Sequence, residues 1–177
     1  MRKTKVNFIV EISIFAALGL VFDFLATLYS AIIWPNGGSI TLAFVPIFII
    51  GYRHGLKGGL ITGLLVGVIQ LIWSGYMLNF FQVLLDYVVP NVVLGIVGVV
   101  SKYVKKSSSW KQVLLISISI VISCLLRFSS LTLSGVLYWN TGFIASVIYN
   151  GGYTLISMII SLIVTPLIVN RINLKNC

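Results

Sequence analysis

The chain holds 177 residues, 59% of them hydrophobic and only 8% charged, with 12 Lys and Arg against 3 Asp and Glu. A soluble domain carries about 25% charged residues, so this chain lacks the polar surface to cover a water-exposed globule and reads as an all-α integral membrane protein. Apolar segments take up nearly the whole length, which excludes a second large soluble domain or an appended catalytic one.

Cut at polar residues and at Gly and Pro, the sequence falls into six segments. They run from Phe8 to Ile33, Ile40 to Tyr52, Leu56 to Trp73, Leu78 to Val100, Val113 to Trp139 and Phe143 to Val169. The second is the weakest, at about 13 residues or about 20 Å. It also contains Pro46, so a short or kinked helix shielded by its neighbours is expected there. The first run is too long for the apolar part of a signal peptide and no small-residue cleavage site follows it, so a retained first helix is expected.

A net charge of +9 would raise the question of nucleic acid in a soluble protein, but here the charges sit between apolar runs. Every Lys and Arg except Arg127 falls at the amino terminus, in the second or fourth loop, or at the carboxyl terminus. The alternate loops, around 34–39, 74–77 and 140–142, hold none. By the positive-inside rule this pattern predicts six transmembrane helices with both termini cytoplasmic, and no nucleic-acid partner. Cys124 and Cys177 form neither a CxxC pair nor a disulfide framework, and neither a metal nor a cofactor is expected.

Glu11, Asp23, Asp86 and Arg127 interrupt apolar runs, where an ionisable group marks a functional site unless it reaches an interface or a partner. Glu11 lies near the cytoplasmic start of the first helix, where pairing with Lys5 or Lys3 is expected. The sequence identifies no partner for Asp23. Asp86, about a third of the way into the fourth helix, is the leading candidate for a ligand contact, with a buried ion pair to Arg127 as the alternative.

Aromatic and amide residues gather in the outer halves of the helices. Trp73, Tyr76 and Tyr138 read as headgroup anchors of the outer interface. Gln82 and Asn150 lie within spans and need hydrogen-bond partners from a neighbouring helix, a water or a ligand. Together with Trp34, Tyr87, Trp139 and Tyr149, and with one carboxylate, they describe a pocket for a small aromatic or heterocyclic molecule open to the outside. On the first helix Ser13 and Ala17, with Ala16 and Gly19 beside them, form a small-residue strip that permits close approach of another helix, internal or foreign. Gly55, Gly58, Gly59, Gly63 and Gly67 suggest tight packing of the third helix, since no GxxxxGK[ST] is present to hold ATP.

Four stretches carry a family resemblance: GGSITLAFVPIFIIGYRHGLKGGLITGLLVG (37–67), LLDYVV (84–89), LLRFSSLTLSGVLYW (125–139) and YNGGYTLIS (149–157). In this order and spacing the chain resembles the thiamine-specific S components of energy-coupling factor (ECF) transporters. The resemblance implies a six-helix membrane protein that binds a vitamin near the outer face. Such a protein delivers it by toppling in the bilayer while docked on a transmembrane coupling subunit driven by two ATPases. Residue by residue, it implies that Asp86 pairs with the thiazolium cation beside Tyr87. It further implies that Asn150 meets the aminopyrimidine edge, that Trp139 stacks on a ring, and that Ser13 and Ala17 belong to the docking strip. Two positions depart from the pattern: Leu131 stands where the family has His, and Ala145 where it has Tyr. An S component for another ring vitamin, pyridoxine or hydroxymethylpyrimidine, is the alternative these departures leave open.

An intramembrane enzyme would need a nucleophile with its base, or metal ligands. The one His, His54, reads as a solvated loop residue beside Arg53. A self-sufficient secondary transporter would show inverted repeats and coupling groups at midplane. No repeat is visible, although Asp86 has the chemistry to carry a proton.

Overall fold

A computed structural model describes residues 2–34, 37–73 and 76–172, leaving out the side chains of residues 2–5 and of Ser109. Lys3, Lys5, Lys175 and Cys177 therefore lie outside the described side chains. All regular structure among the described residues is helical, and five helices are long and apolar enough to cross a membrane.

Helix α1 (Arg2–Ser30) forms over an unbroken apolar run and ends where the chain turns at Ser30. The Ser30 carbonyl accepts from Trp34 N at 2.8 Å and its Oγ from Ile40 N at 3.1 Å, so one residue closes the turn into the next element. Tyr29 reinforces it by donating to the Ile40 carbonyl.

Helix α2 (Phe44–Ile69) covers what the sequence reads as the second and third segments. The first arm is short, as expected, but Pro46 does not kink it, because Pro46 lies in the first turn, where its missing N–H has no helical acceptor to lose. The break is at Gly55, in the gap the sequence leaves between its second and third segments, with φ 74° and ψ −166°, a conformation open to glycine and strained for other residues. Here the chain folds back. A Cβ placed on Gly19 would lie 3.2 Å from Val66 and 3.9 Å from Pro46, whereas a straight helix would hold those two residues about 30 Å apart. The two arms of α2, 44–54 and 56–69, thus stand side by side.

The next stretch is helical throughout but changes its winding. Helix α3 (Phe80–Val83) is capped by Asn79, whose side chain accepts from Gln82 N at 2.9 Å. A π-helical turn (Leu84–Val88) follows, then α4 (Val89–Leu94), a 3₁₀ stretch (Gly95–Val100) and α5 (Ser101–Lys106). Pro90 explains the π turn. In an α-helix its ring would clash with the carbonyl four residues back, that of Asp86, and it has no N–H to offer that carbonyl. Widening to a π turn, in which Val89 N donates to the Leu84 carbonyl, relieves both problems.

The glycine-rich arm of α2 runs against this stretch at backbone contact: a Cβ on Gly59 would stand 2.9 Å from Gly95 Cα. The glycines are packing residues, as their spacing suggests. Helices α6 (Ser109–Tyr138) and α7 (Phe143–Arg171) complete the bundle as a packed pair, joined by a turn in which Asn140 has φ 52°. Buried Phe44, Phe48, Leu94, Ile116 and Ile120 form its core, and Ser101 Oγ donates to the Tyr52 carbonyl at 2.7 Å across it.

Candidate functional site

A cavity of about 340 Å³ opens near the α6–α7 turn, within the size range of small-molecule sites. The π turn supplies Asp86 and Tyr87, α6 supplies Leu131 and Gly135, its cap supplies Trp139, and α7 supplies Ala145, Ser146, Tyr149, Asn150 and Tyr153. Of the seven ligand residues expected from the sequence, Asp86, Tyr87, Trp139, Tyr149 and Asn150 line this space. Trp34 lies at its side, edge-on to Tyr153 at 6.1 Å between ring centres. Gln82 does not line it; it is fully buried and acts on Asp86 from behind.

The π turn carries the carboxylate and is held from outside. It frees backbone carbonyls that an α-helix would pair internally, and side chains from three elements take them up. Ser130 Oγ donates to the Leu85 carbonyl at 2.8 Å. Asn91 Nδ2 and Gln70 Nε2 donate to the Tyr87 carbonyl at 2.8 and 3.2 Å. Asp86 Oδ2 then accepts from Gln82 Nε2 at 2.6 Å and from Trp139 Nε1 at 2.9 Å. Gln82 is fixed in turn by Leu78 N, which donates to its Oε1 at 3.0 Å. Both donors are neutral, so the carboxylate is oriented while its charge is left uncompensated.

The ion pair of Asp86 with Arg127, the alternative raised by the sequence, is not formed. Among the described residues the ion pairs are those of Glu11 with Arg53 and His54. Arg127 Nη1 donates to Asn91 Oδ1 at 3.2 Å, and the guanidinium carbon sits 4.7 Å above the centre of the Phe44 ring. The cation is thus held by a ring face and an amide.

Asn150 is more constrained than its sequence position suggests. Its Nδ2 donates to the Ser146 carbonyl at 3.0 Å and lies 3.4 Å from the Leu131 carbonyl, and its Oδ1 accepts from Tyr153 at 2.5 Å. The amide therefore ties α7 to α6 at the cavity wall as well as bordering the cavity.

Other expectations are corrected. Trp73 and Tyr76 also have partners within the fold that the sequence does not identify. Trp73 Nε1 donates to Asp23 Oδ2 at 3.2 Å, which gives Asp23 its missing partner, and Tyr76 packs edge-on to Trp139 at 5.7 Å. Sequence could not bring together residues 50 positions apart; the available signal was that both Asp23 and Trp73 required a polar neighbour. Glu11 pairs with Arg53 Nε at 2.6 Å and His54 Nε2 at 2.7 Å, so His54 is a half-buried partner of α1 instead of a solvated loop residue. The small-residue strip is split: Ala16 and Gly19 face inward, Gly19 toward Val66, while Ser13 and Ala17 are exposed beside Ile14 and Leu18.

Residues 9–176 match the family described as thiamine transporter protein (Thia_YuaJ). The chain belongs to the thiamine transporter family. The thiamine transporter ThiT of Bacillus subtilis (strain 168) is 33% identical over 172 residues, covering 90% of this chain and 88% of that one. A solved structure of ThiT from Listeria monocytogenes has the same fold, with a TM-score of 0.81 over 95% of this chain and 96% of that one at 23% identity. A member of this thiamine transporter family with five long apolar helices is a multi-pass membrane transporter and not an enzyme.

Proposed function

We propose that this chain is the substrate-binding S component of an ECF-type importer. It captures thiamine at the outer face and passes it inward through a coupling subunit and two ATPases. The observation that carries the ligand reading is Asp86, a carboxylate on an aromatic-lined cavity wall, oriented by two neutral donors and unpaired with Arg127. A cationic ring enclosed by aromatic walls gains both an ion contact and cation–π attraction there. That reading agrees with the family match and with the printed names of both ThiT relatives.

The S-component role rests on other observations. No internal repeat of the kind a self-sufficient secondary transporter shows is visible in the sequence, which favours a separate motor. Ser13 and Ala17 are exposed on α1 and suit helix-to-helix docking of the coupling subunit. The six-span topology with cytoplasmic termini is part of the proposal, supported by the fold-back of α2 at Gly55 and by the distribution of Lys and Arg.

One observation favours a second reading. Leu131 and Ala145 both line the cavity, an apolar wall where the family pattern has hydrogen-bonding side chains, so pyridoxine or hydroxymethylpyrimidine is the alternative ligand. Tryptophan emission of the detergent-purified protein, titrated with all three compounds, separates the readings. Saturable quenching by thiamine at submicromolar concentration is expected. Saturation by another ring alone transfers the site to that vitamin, and no response to any of them refutes the binding role.

A further inference from the structure

The corner between α5 and α6 carries charge that nothing in the chain balances. Lys102 and Lys106 of α5 and Lys111 of α6 are exposed, and none of them forms an ion pair among the described residues. Lys105 between them is different, because its Nζ donates to the Arg53 carbonyl at 2.8 Å. The chain holds only three Asp and Glu, and each is engaged elsewhere. Glu11 is taken by Arg53 and His54, Asp23 accepts from Trp73, and Asp86 accepts from Gln82 and from Trp139 at the other end of α6. Lys102 and Lys106 stand one helical turn apart, a like-charge spacing that costs stability unless an anion lies beside it.

Two aromatic rings mark the depth of this corner in the bilayer. On α6 the exposed residues Trp110, Leu114, Ile118 and Ile122 recur every four positions, which makes one helix face that meets lipid tails. Trp110 ends that face and is 68% exposed. Tyr103, 66% exposed, ends a second such face one turn after exposed Val99. Trp and Tyr at the end of a lipid-facing run sit at headgroup level. Lys102 and Lys111 adjoin these rings in sequence, and Lys106 lies one turn from Tyr103, so their ammonium groups reach the level of the lipid phosphates while the stems run along apolar surface.

The group that completes the corner must bring net negative charge and apolar surface together. Inorganic phosphate has the charge but leaves both rings uncovered. A zwitterionic lipid covers the rings but balances its phosphate with its own ammonium. We propose that the α5–α6 corner binds the headgroup of an anionic phospholipid, with Lys102, Lys106 and Lys111 around the phosphate and Tyr103 and Trp110 against the glycerol and the upper acyl chains. Attraction of a lysine to an anionic lipid surface is worth about fivefold in affinity. Because Lys105 of the same helix holds the α2 turn through Arg53, a lipid bound here anchors this end of the bundle to one leaflet. The site is separate from the ligand cavity and does not depend on which vitamin occupies it.

The test places the full chain in phosphatidylcholine vesicles that contain increasing fractions of a lipid brominated high on its acyl chains, either phosphatidylglycerol or phosphatidylcholine with the same chains. Bromine quenches a tryptophan it touches, and the emission of Trp110 is the difference between the parent and Trp110→Phe. In the parent, half-quenching is expected at a fraction of phosphatidylglycerol at least about fivefold lower than that of phosphatidylcholine. The triple variant Lys102→Gln, Lys106→Gln, Lys111→Gln should bring the two lipids within about twofold of each other, with Lys106→Gln alone falling between. Lys106→Gln serves by itself if the triple variant does not fold. Arg171→Gln, which removes one exposed charge from the end of α7, should keep the ratio of the parent. Equal quenching by both lipids in the parent overturns the site and assigns the lysines to an acidic protein partner instead. An undiminished preference in the lysine variants overturns it too, as does an equal loss in Arg171→Gln, which would show that net charge and not this corner is read. Both leaflets hold the brominated lipid, so the result is the same whichever way the chain is inserted.

Discussion

Replacing Asp86 by Asn tests the site at the atom on which the proposed function rests. Asn keeps the size of Asp and still presents an oxygen to Gln82 Nε2 and Trp139 Nε1, so the local fold should be retained with a stability change below about 1 kcal/mol. What disappears is the charge. A ligand cation about 4 Å from a carboxylate, at an effective dielectric constant of about 20, gains about 4 kcal/mol. The neutral amide keeps a dipolar attraction of about 1 kcal/mol, which leaves a deficit of about 3 kcal/mol, or roughly 150-fold in Kd. Titration calorimetry of parent and Asp86→Asn with thiamine measures this directly. Hydroxymethylpyrimidine, which lacks the cationic ring, provides the control and should lose less than about threefold. A loss of threefold or less for thiamine would refute the ion contact, and an equal loss for both ligands would show that the substitution acts through the fold and not through charge.

Four further substitutions probe the supports of the site and the bundle. Ser130→Ala leaves the part-buried Leu85 carbonyl without its donor and should lower stability by about 1 kcal/mol; thermal unfolding in detergent gives the loss, and thiamine titration should show several-fold weaker binding because the π turn is less well held. Gly59→Val drives a branched side chain into the Gly95 backbone and should destabilise by about 1 to 3 kcal/mol or more, and a variant that melts with the parent would contradict the close approach. Glu11→Gln removes an ion pair whose members are about a quarter exposed, so its effect on the melting temperature should correspond to less than about 1 kcal/mol and shrink further in high salt, with ligand affinity unchanged. Leu131→His adds a polar group to the cavity wall and should tighten thiamine binding several-fold, and unchanged affinity would remove the significance attached to Leu131.

Much of the fold is legible from local chemistry, because membrane helices declare themselves by length and by the charges that bound them. The segments Val113 to Trp139 and Phe143 to Val169 correspond to α6 and α7 within a few residues. The turn at Gly55 is legible as the polar interruption between the segments ending at Tyr52 and starting at Leu56, and only the kink considered at Pro46 is absent. Pro90 leaves the Asp86 carbonyl without its helical donor, yet only the structure shows that the carbonyls of Leu85 and Tyr87 are taken by Ser130 and Gln70 from other elements. Asp86 was identifiable by itself as a carboxylate in an apolar run. Its partner Trp139 was named for ring stacking, and the bond between the two spans 53 positions that no periodicity connects. The bond from Trp73 to Asp23 is hidden for a related reason, since a tryptophan near the end of a span does not reveal where its N–H points.

The separation of Asp86 from Arg127 is the point on which the two readings of the intramembrane charges divide. Had they paired, each would have offset the other and a ligand cation would have had to displace a guanidinium to reach the carboxylate, losing most of the contact it gained. Instead Arg127 is held by the Phe44 face and the Asn91 amide, and Asn91 also donates to the Tyr87 carbonyl of the π turn that carries Asp86. One buried amide therefore holds both the cation and the backbone beside the anion, which keeps the charges apart. Asn91→Leu would remove both holds at once. The expected result is a release of Arg127 toward Asp86 and a fall in thiamine affinity larger than that of Ser130→Ala, which loosens the π turn alone. Measuring both variants by the same titration tests this, because equal losses would mean that Asn91 acts only on the backbone and that its bond to Arg127 has no part in keeping Asp86 available.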